Sequence, residues 1–235
     1  MATSTYPLHQ IWLQGEDRLP SKYEKTVAAY RAMTTGYRLW SYADIVGLLN
    51  TDAYEWLLPM FNSYQHWVMR VDLAKYVILH KYGGFYIDMD TVPKASFTPL
   101  TAEKSRVTIE VIMDNPVFKY LEFMFTLVNN HFFWVPYPSH PFMMELMKQA
   151  NVSASRMFYE VKFWYVIDSA GPNLLDSVAN RFPEMLNRIN ATEMRKYYVH
   201  EGHATWMSFD THDKIFFFVL VMFGILLVKA YRWKR

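Results

Sequence analysis

An α/β fold with a mostly parallel central sheet is what the order of apolar patterns in this chain predicts, on three observations. Short apolar runs at residues 9–13 and 37–40 alternate with helix-like stretches at 22–33 and 41–49, the order that builds a sheet covered by helices. Residues 70–82 then place apolar side chains at 71, 73, 74, 77 and 78, a helical spacing broken by Gly83-Gly84. Beyond the glycines, Phe85, Ile87 and Met89 alternate with Tyr86, Asp88 and Asp90, the period of a strand.

Taken in order, residues 9–13 read as a buried first strand, and Pro20-Ser21 starts the helix over 22–33. Residues 37–40 form the second strand, and Ser41 caps the helix running to Leu49. The strand after Gly84 carries Asp88 and Asp90 on one face at its exit. Side by side, two carboxylates repel unless a cation lies between them. Hard oxygen ligands suit Mn²⁺ or Mg²⁺, ions that usually share their coordination with substrate phosphates. Carboxyl ends of strands are also where ligands sit on open α/β sheets.

The 235 residues suffice for one sizeable domain, and a net charge of +2 argues against a nucleic-acid surface. Cysteine is absent, which excludes disulfides and thiolate chemistry. Residues 1–14 lack a basic start and an apolar core and do not read as a signal peptide. Residues 215–228, by contrast, contain no polar side chain and are followed by Lys229, Arg232, Lys234 and Arg235. As a helix this run is about 21 Å long against a hydrocarbon core of about 30 Å. Lys214 and Lys229 snorkelling and Tyr231 and Trp233 at the interface would extend it. The expectation is a domain over residues 1–210 and a C-terminal hydrophobic helix over 211–235, attached to a membrane through residues 215–231. The basic tail favours a cytosolic C-terminus, whereas a tail anchor without a leader leaves the domain cytosolic; the sidedness stays open. The sequons Asn151-Val152-Ser153 and Asn190-Ala191-Thr192 matter only if the domain is lumenal.

Arg70-Val71-Asp72-Leu73-Ala74-Lys75-Tyr76, followed by Tyr82-Gly83-Gly84-Phe85-Tyr86-Ile87-Asp88-Met89-Asp90, resembles the DXD-containing sugar-binding region of a glycosyltransferase family. That family includes inositol-phosphoceramide mannosyltransferases, α-1,6-mannosyltransferases, and α-1,4-galactosyl- and N-acetylglucosaminyltransferases. Its pattern is R-x-D-x-x-R-Y, then Y-G-G-x-Y-x-D-x-D, so Lys75 stands where an arginine is expected, a point charge for a planar fork. Outlying segments extend the likeness: His9-Gln10-Ile11-Trp12, Asn129-Asn130 with Pro138-Ser139-His140-Pro141-Phe142, Ala170-Gly171-Pro172, and residues 200–206. His140 could equally be a histidine that starts a helix.

The resemblance implies a GT-A-like nucleotide-sugar-binding fold and transfer of a sugar with retained configuration, in an endomembrane of the Golgi or ER type. It implies that Asp90 binds Mn²⁺ or Mg²⁺, that Asp88 contacts the ion or the ribose, and that Asp72 and Arg70 hold sugar and diphosphate. Asn130 falls near the sugar or acceptor. Gln10, Trp12, Lys75, Tyr76 and Gly84 fall along the donor, with Trp12 stacking on the base. His200 or His203 would complete the metal shell, and the spacing leaves both open. The implied partners are a nucleotide-sugar donor and a glycolipid or glycan acceptor. GDP-mannose is favoured by the C-terminal anchor, with UDP-galactose or UDP-N-acetylglucosamine as the alternative donor. A non-catalytic sugar-nucleotide or glycan-binding membrane protein is the competing reading.

Overall fold

A computed structural model describes residues 4–112, 128–153, 155, 160–203, 213–214 and 218–219. Its centre is a six-stranded sheet. The elements run β1 (Ser4–Ile11), α1 (Ser21–Met33), β2 (Thr34–Trp40), α2 (Tyr42–Leu49), α3 (Leu58–Ser63), α4 (Trp67–Tyr82), β3 (Gly84–Ile87) and β4 (Thr91–Pro93). They continue with β5 (Val107–Val111), β6 (Val128–Val135), α5 (Pro141–Val152), α6 (Lys162–Ser169), α7 (Pro172–Arg181), β7 (Leu186–Asn190), α8 (Ala191–Met194) and β8 (Tyr198–His200).

The strand order is β2-β1-β3-β6-β5-β7. Strand β1 is parallel to β2 and β3, β5 is parallel to β7, and only β6 runs against its neighbours. The sheet is therefore mostly parallel, as expected, with one reversed strand near its middle. Both faces are covered, which explains why β3 is buried at every residue. Tyr86 and Phe133 face the helices α2–α7, while Phe85, Ile87, Phe132 and Trp134 face Tyr30 and Tyr198 on the other side. The chain leaves β1 toward β2, then returns past β1 to β3, so the switch point lies between β1 and β3.

Ser41 caps α2 as expected: its hydroxyl accepts the Asp44 amide while the Asp44 carboxylate accepts the Ser41 amide. Gly83 ends α4 at φ 63°, and Gly84 follows at φ 87°. A Cβ on Gly84 would stand 2.5 Å from the Pro7 carbonyl oxygen, so glycine is what lets β3 lie against β1.

Four expected boundaries move. Strand β2 begins at Thr34 rather than at 37, and α4 begins at Trp67 rather than at 70. Strand β1 covers Ser4–Ile11 rather than 9–13, because its ladder to β2 begins at Ser4. Strand β3 ends at Ile87, so Asp88 and Asp90 lie in the following turn, closed by the Thr91 amide on the Asp88 carbonyl. The anticipated C-terminal hydrophobic helix over 211–235 lies outside the described residues apart from Asp213, Lys214, Phe218 and Val219; among the described residues no helix is long and apolar enough to cross a membrane.

Candidate active site

The turn after β3 is held from four directions. Its Asp88 amide donates to the His131 carbonyl (2.9 Å), and Gln10 Nε2 donates to the Asp88 carbonyl (3.2 Å). Tyr86 Oη donates to Asp88 Oδ1 (2.7 Å), and Lys75 Nζ stands 3.5 Å from the same oxygen. Strand β4 then pairs with β8, bringing His200 opposite Thr91 and hence beside Asp90. His200 Nε2 lies 3.3 Å from Asp90 Oδ1, and the His203 amide donates to Asp90 Oδ2 (2.9 Å).

One ligand atom from each of Asp88, Asp90 and His200 lies within 4.8 Å of the other two. Two carboxylates and an imidazole at this spacing fit one divalent cation. Burial opposes ionisation of Asp90, but His200 and the His203 amide hold its carboxyl down to about 2. Burial also opposes charge on His200, and Asp90 raises it above the ordinary imidazole value nonetheless. Thus Asp90 presents a full negative charge at neutral pH.

Behind the turn lies a second, buried cluster. Lys75 is 1% exposed; its Nζ sits 2.8 Å from Asp72 Oδ1 and donates to the Asn130 carbonyl (3.0 Å). Asn130 Nδ2 donates to Asp72 Oδ1 (3.0 Å). Burial pushes Asp72 up to about 6 against the pull of Lys75. Burial disfavours the Lys75 ammonium, and Asp72 with Asp88 outweighs it, so the lysine stays charged.

Several residues expected along a donor do other work here. The Arg70 guanidinium donates to the carbonyls of Phe61, Asn62 and Tyr64, tying down the end of α3. Tyr76 is fully buried and donates to the Ala170 carbonyl (2.7 Å), joining α4 to the Gly171-Pro172 turn. Gly84 serves strand approach. Lys75 faces carboxylates within the protein. Gln10 is buried, accepts from Tyr37 Oη and supports the Asp88 backbone.

Trp12 is partly buried with Tyr23 and Met89, the residue between the two aspartates, and its indole N–H donates to the Arg18 carbonyl. It therefore borders the site. His203 is set apart from the metal cluster: its ring nitrogens face Tyr23 Oη (3.4 Å) and Glu201 (3.0 Å). His140 is the N-cap of α5, accepting the Phe142 amide and donating to the Ser105 carbonyl. Residues 204–206 lie outside the described residues.

Sequence reasoning missed Glu110, His131 and Tyr198, which form a buried hydrogen-bonded group adjoining His200. Polar residues inside the apolar runs of β5 and β6 were the available signal.

Residues 20–107 match the family model described as the glycosyltransferase sugar-binding region containing the DXD motif. The chain is 30% identical over 173 residues to "Inositol phosphoceramide mannosyltransferase 1" of Schizosaccharomyces pombe, covering 72% of this chain and 49% of that protein. It is 26% identical over 250 aligned positions to "Inositol phosphoceramide mannosyltransferase 3" of the same organism, covering 97% of this chain and 67% of that one. The fold is shared with a solved structure titled "PaToxG Glycosyltransferase", at a TM-score of 0.51 and 15% identity over 77% of this chain and 68% of that one. The chain thus spans about half the length of the first of these relatives. With the Asp88-Met89-Asp90 turn inside the matched region, residues 20–107 carry the DXD-containing sugar-binding region of a glycosyltransferase.

Proposed function

We propose that this protein is a metal-dependent hexosyltransferase that moves mannose from GDP-mannose to a glycolipid acceptor with retention of configuration. The observation that carries it is the grouping of Asp88, Asp90 and His200 at the carboxyl end of β3, beside the switch point of the sheet. Mannose is favoured because the relatives are named as mannosyltransferases of inositol phosphoceramide. In this reading residues 1–210 form a GT-A-like catalytic domain, and residues 211–235 attach it to an endomembrane.

Asp90, Asp88 and His200 would hold the cation. An imidazole among the ligands favours Mn²⁺ over Mg²⁺, which prefers an all-oxygen shell. Bound there, the ion would neutralise charge on the departing diphosphate, so that no protein acid is needed. Asp72 and Asn130 would form the inner wall, and Trp12, packed beside Met89 at the outer edge, would stack on the base. Among the described residues the remaining carboxylate here, Asp72, is tied to Lys75 and Asn130 and is not free to act as a nucleophile, which supports a same-face transfer in which the leaving phosphate accepts the acceptor's proton.

Membrane attachment is supported by the site's end of the molecule. Helix α4 leads straight into β3, so its first residue, Trp67, lies at that end and is 58% exposed. Helix α6 runs alongside, its Tyr165 near His66 and its Ala170 end bonded to Tyr76; Trp164 at its exposed start faces solvent. Its first amide donates to Asp213 (2.6 Å), two residues before the apolar run of 215–228 begins.

The deciding experiment offers GDP-mannose, UDP-galactose and UDP-N-acetylglucosamine to the purified protein with and without Mn²⁺, following donor hydrolysis and transfer to phosphoinositol lipids. Mn²⁺-dependent consumption of GDP-mannose with an α-linked product is expected. An inverted anomer sinks the mechanism; binding of a donor with no turnover favours the non-catalytic reading.

A further inference from the structure

The imidazole of His200 stacks on the ring of His131, a residue whose backbone carbonyl also accepts the Asp88 amide. The register between β5 and β6 jumps: Ile109 pairs with Phe133, but Glu110 pairs with Asn129, leaving residues 130–132 as an irregularity in β6. Such bulges re-aim side chains near active sites. Here Asn130 turns toward Asp72 on one face of the sheet, and His131 turns toward Glu110 and Tyr198 on the other.

His131 is 3% exposed. Its Nε2 lies 3.1 Å from Tyr198 Oη and 3.4 Å from Glu110 Oε2. Tyr198 donates to the same carboxylate, whose other oxygen accepts Asn129 Nδ2. As the acceptor of all these bonds, Glu110 requires His131 to carry its proton on Nε2, which fixes the ring's plane as well as its tautomer. On that plane lies His200, with ring centroids 4.0 Å apart and 13° between planes. Tyr198 and His200, two residues apart on β8, therefore point to the same side and grip His131 between them.

We propose that His131 is a positioning residue: its ring, locked by Glu110 and Tyr198, is the platform that keeps His200 Nε2 directed at Asp90 and so sets how tightly the cluster takes a divalent cation. The proposal rests on the metal-site reading above. Partners behind a metal-bound histidine commonly change affinity by about 10- to 100-fold when removed.

The test measures Mn²⁺ affinity by the electron paramagnetic resonance of unbound Mn²⁺, without donor or turnover, on the full chain. His131→Leu keeps the volume but removes the flat face, and about tenfold weaker binding is expected. His131→Phe restores a stacking face and should bind within about threefold of wild type. Melting temperature without metal separates a general loss of fold from a loss of the platform. Tyr198→Phe removes one oxygen and frees the His131 ring; about threefold weakening is expected, and this variant serves if His131→Leu fails to fold. Unchanged affinity in His131→Leu, or in Tyr198→Phe, overturns the proposal. So does a His131→Phe variant as weak as His131→Leu. Wild-type protein that binds no Mn²⁺ overturns the metal-site reading itself, a result distinct from wild-type binding that the variants share.

Discussion

Asp72 and Asp90 are separated by the second half of α4 and one short strand, yet their charges are balanced in opposite ways. Asp72 is buried, and the chain supplies its cation internally: Lys75 sits one turn along α4 with Asn130 closing the group. Asp90 lies in the turn at the carboxyl end of the interior strand β3, where its carboxylate meets, among the described residues, the His200 ring and the His203 amide, with Asp88 close by. One cluster is complete, and the other has a surplus of negative charge facing outward. A carboxylate that the fold already neutralises belongs to structure, and one that it leaves in excess is where a divalent ion fits. Asp88 stands between them, touched by Lys75 and Tyr86 on the inside and grouped with Asp90 and His200 on the outside.

The sharpest way to break this contrast is Lys75→Met. With Asp72 unpaired in the interior, the protein should lose about 3–5 kcal/mol of stability in urea melts, and adding Asp72→Asn should recover part of it. If Mn²⁺ alone restored the Lys75→Met variant, the two clusters would be one site and the distinction would fail.

Asp90→Ala probes the outer cluster. Mn²⁺-dependent donor hydrolysis should drop by at least about a hundredfold, the upper end for groups one layer further out, while the metal-free melting temperature hardly moves. A large loss of stability with retained hydrolysis would reverse the assignment.

His9 sharpens the contrast from the structural side. Buried between the Gly83 carbonyl and the Trp40 indole, its imidazole is pushed by burial down to about 4 from 6.5. The unfolded chain then takes up the extra proton between those values, so this contribution is full above about pH 6.5 and is lost as pH falls toward 4. Relative to His9→Gln, the wild type should lose about 2 kcal/mol between pH 7 and pH 5, read from denaturant melts at both. Tyr76→Phe should have the smallest effect: about 1 kcal/mol, from the Ala170 carbonyl left without its donor. Its Mn²⁺-dependent hydrolysis should be unchanged, and a marked rise in donor KM would return Tyr76 to the binding surface.

Much of the centre was legible from local pattern. The helix through Tyr82, the glycine pair and the acidic turn all follow from spacing and from backbone freedom at φ above zero. The motif residues were harder to sort. Arg70, Tyr76 and Lys75 belong to the same run as Asp72, but periodicity does not say which polar atoms the interior will occupy. The carbonyls at the end of α3 decide that for Arg70, the Asp72 carboxylate one turn back for Lys75, and the Ala170 carbonyl, from a distant segment, for Tyr76. The choice between His200 and His203 was likewise invisible in spacing, because it depends on the pairing of Thr91 with His200.

By itself the sequence determined the alternation of strands and helices, the break at Gly83-Gly84 and the adjacency of Asp88 and Asp90, since these depend on side-chain period and steric freedom within a few residues. Tertiary structure alone decided which cation Asp88 and Asp90 meet. Lys75 meets Asp72 one turn away on its own helix but reaches Asp88 only because α4 lies against β3, and His200 reaches Asp90 only because β8 returns to β4 from more than a hundred residues away. Charge compensation acts through space over a few ångströms, and only the packed chain sets those distances.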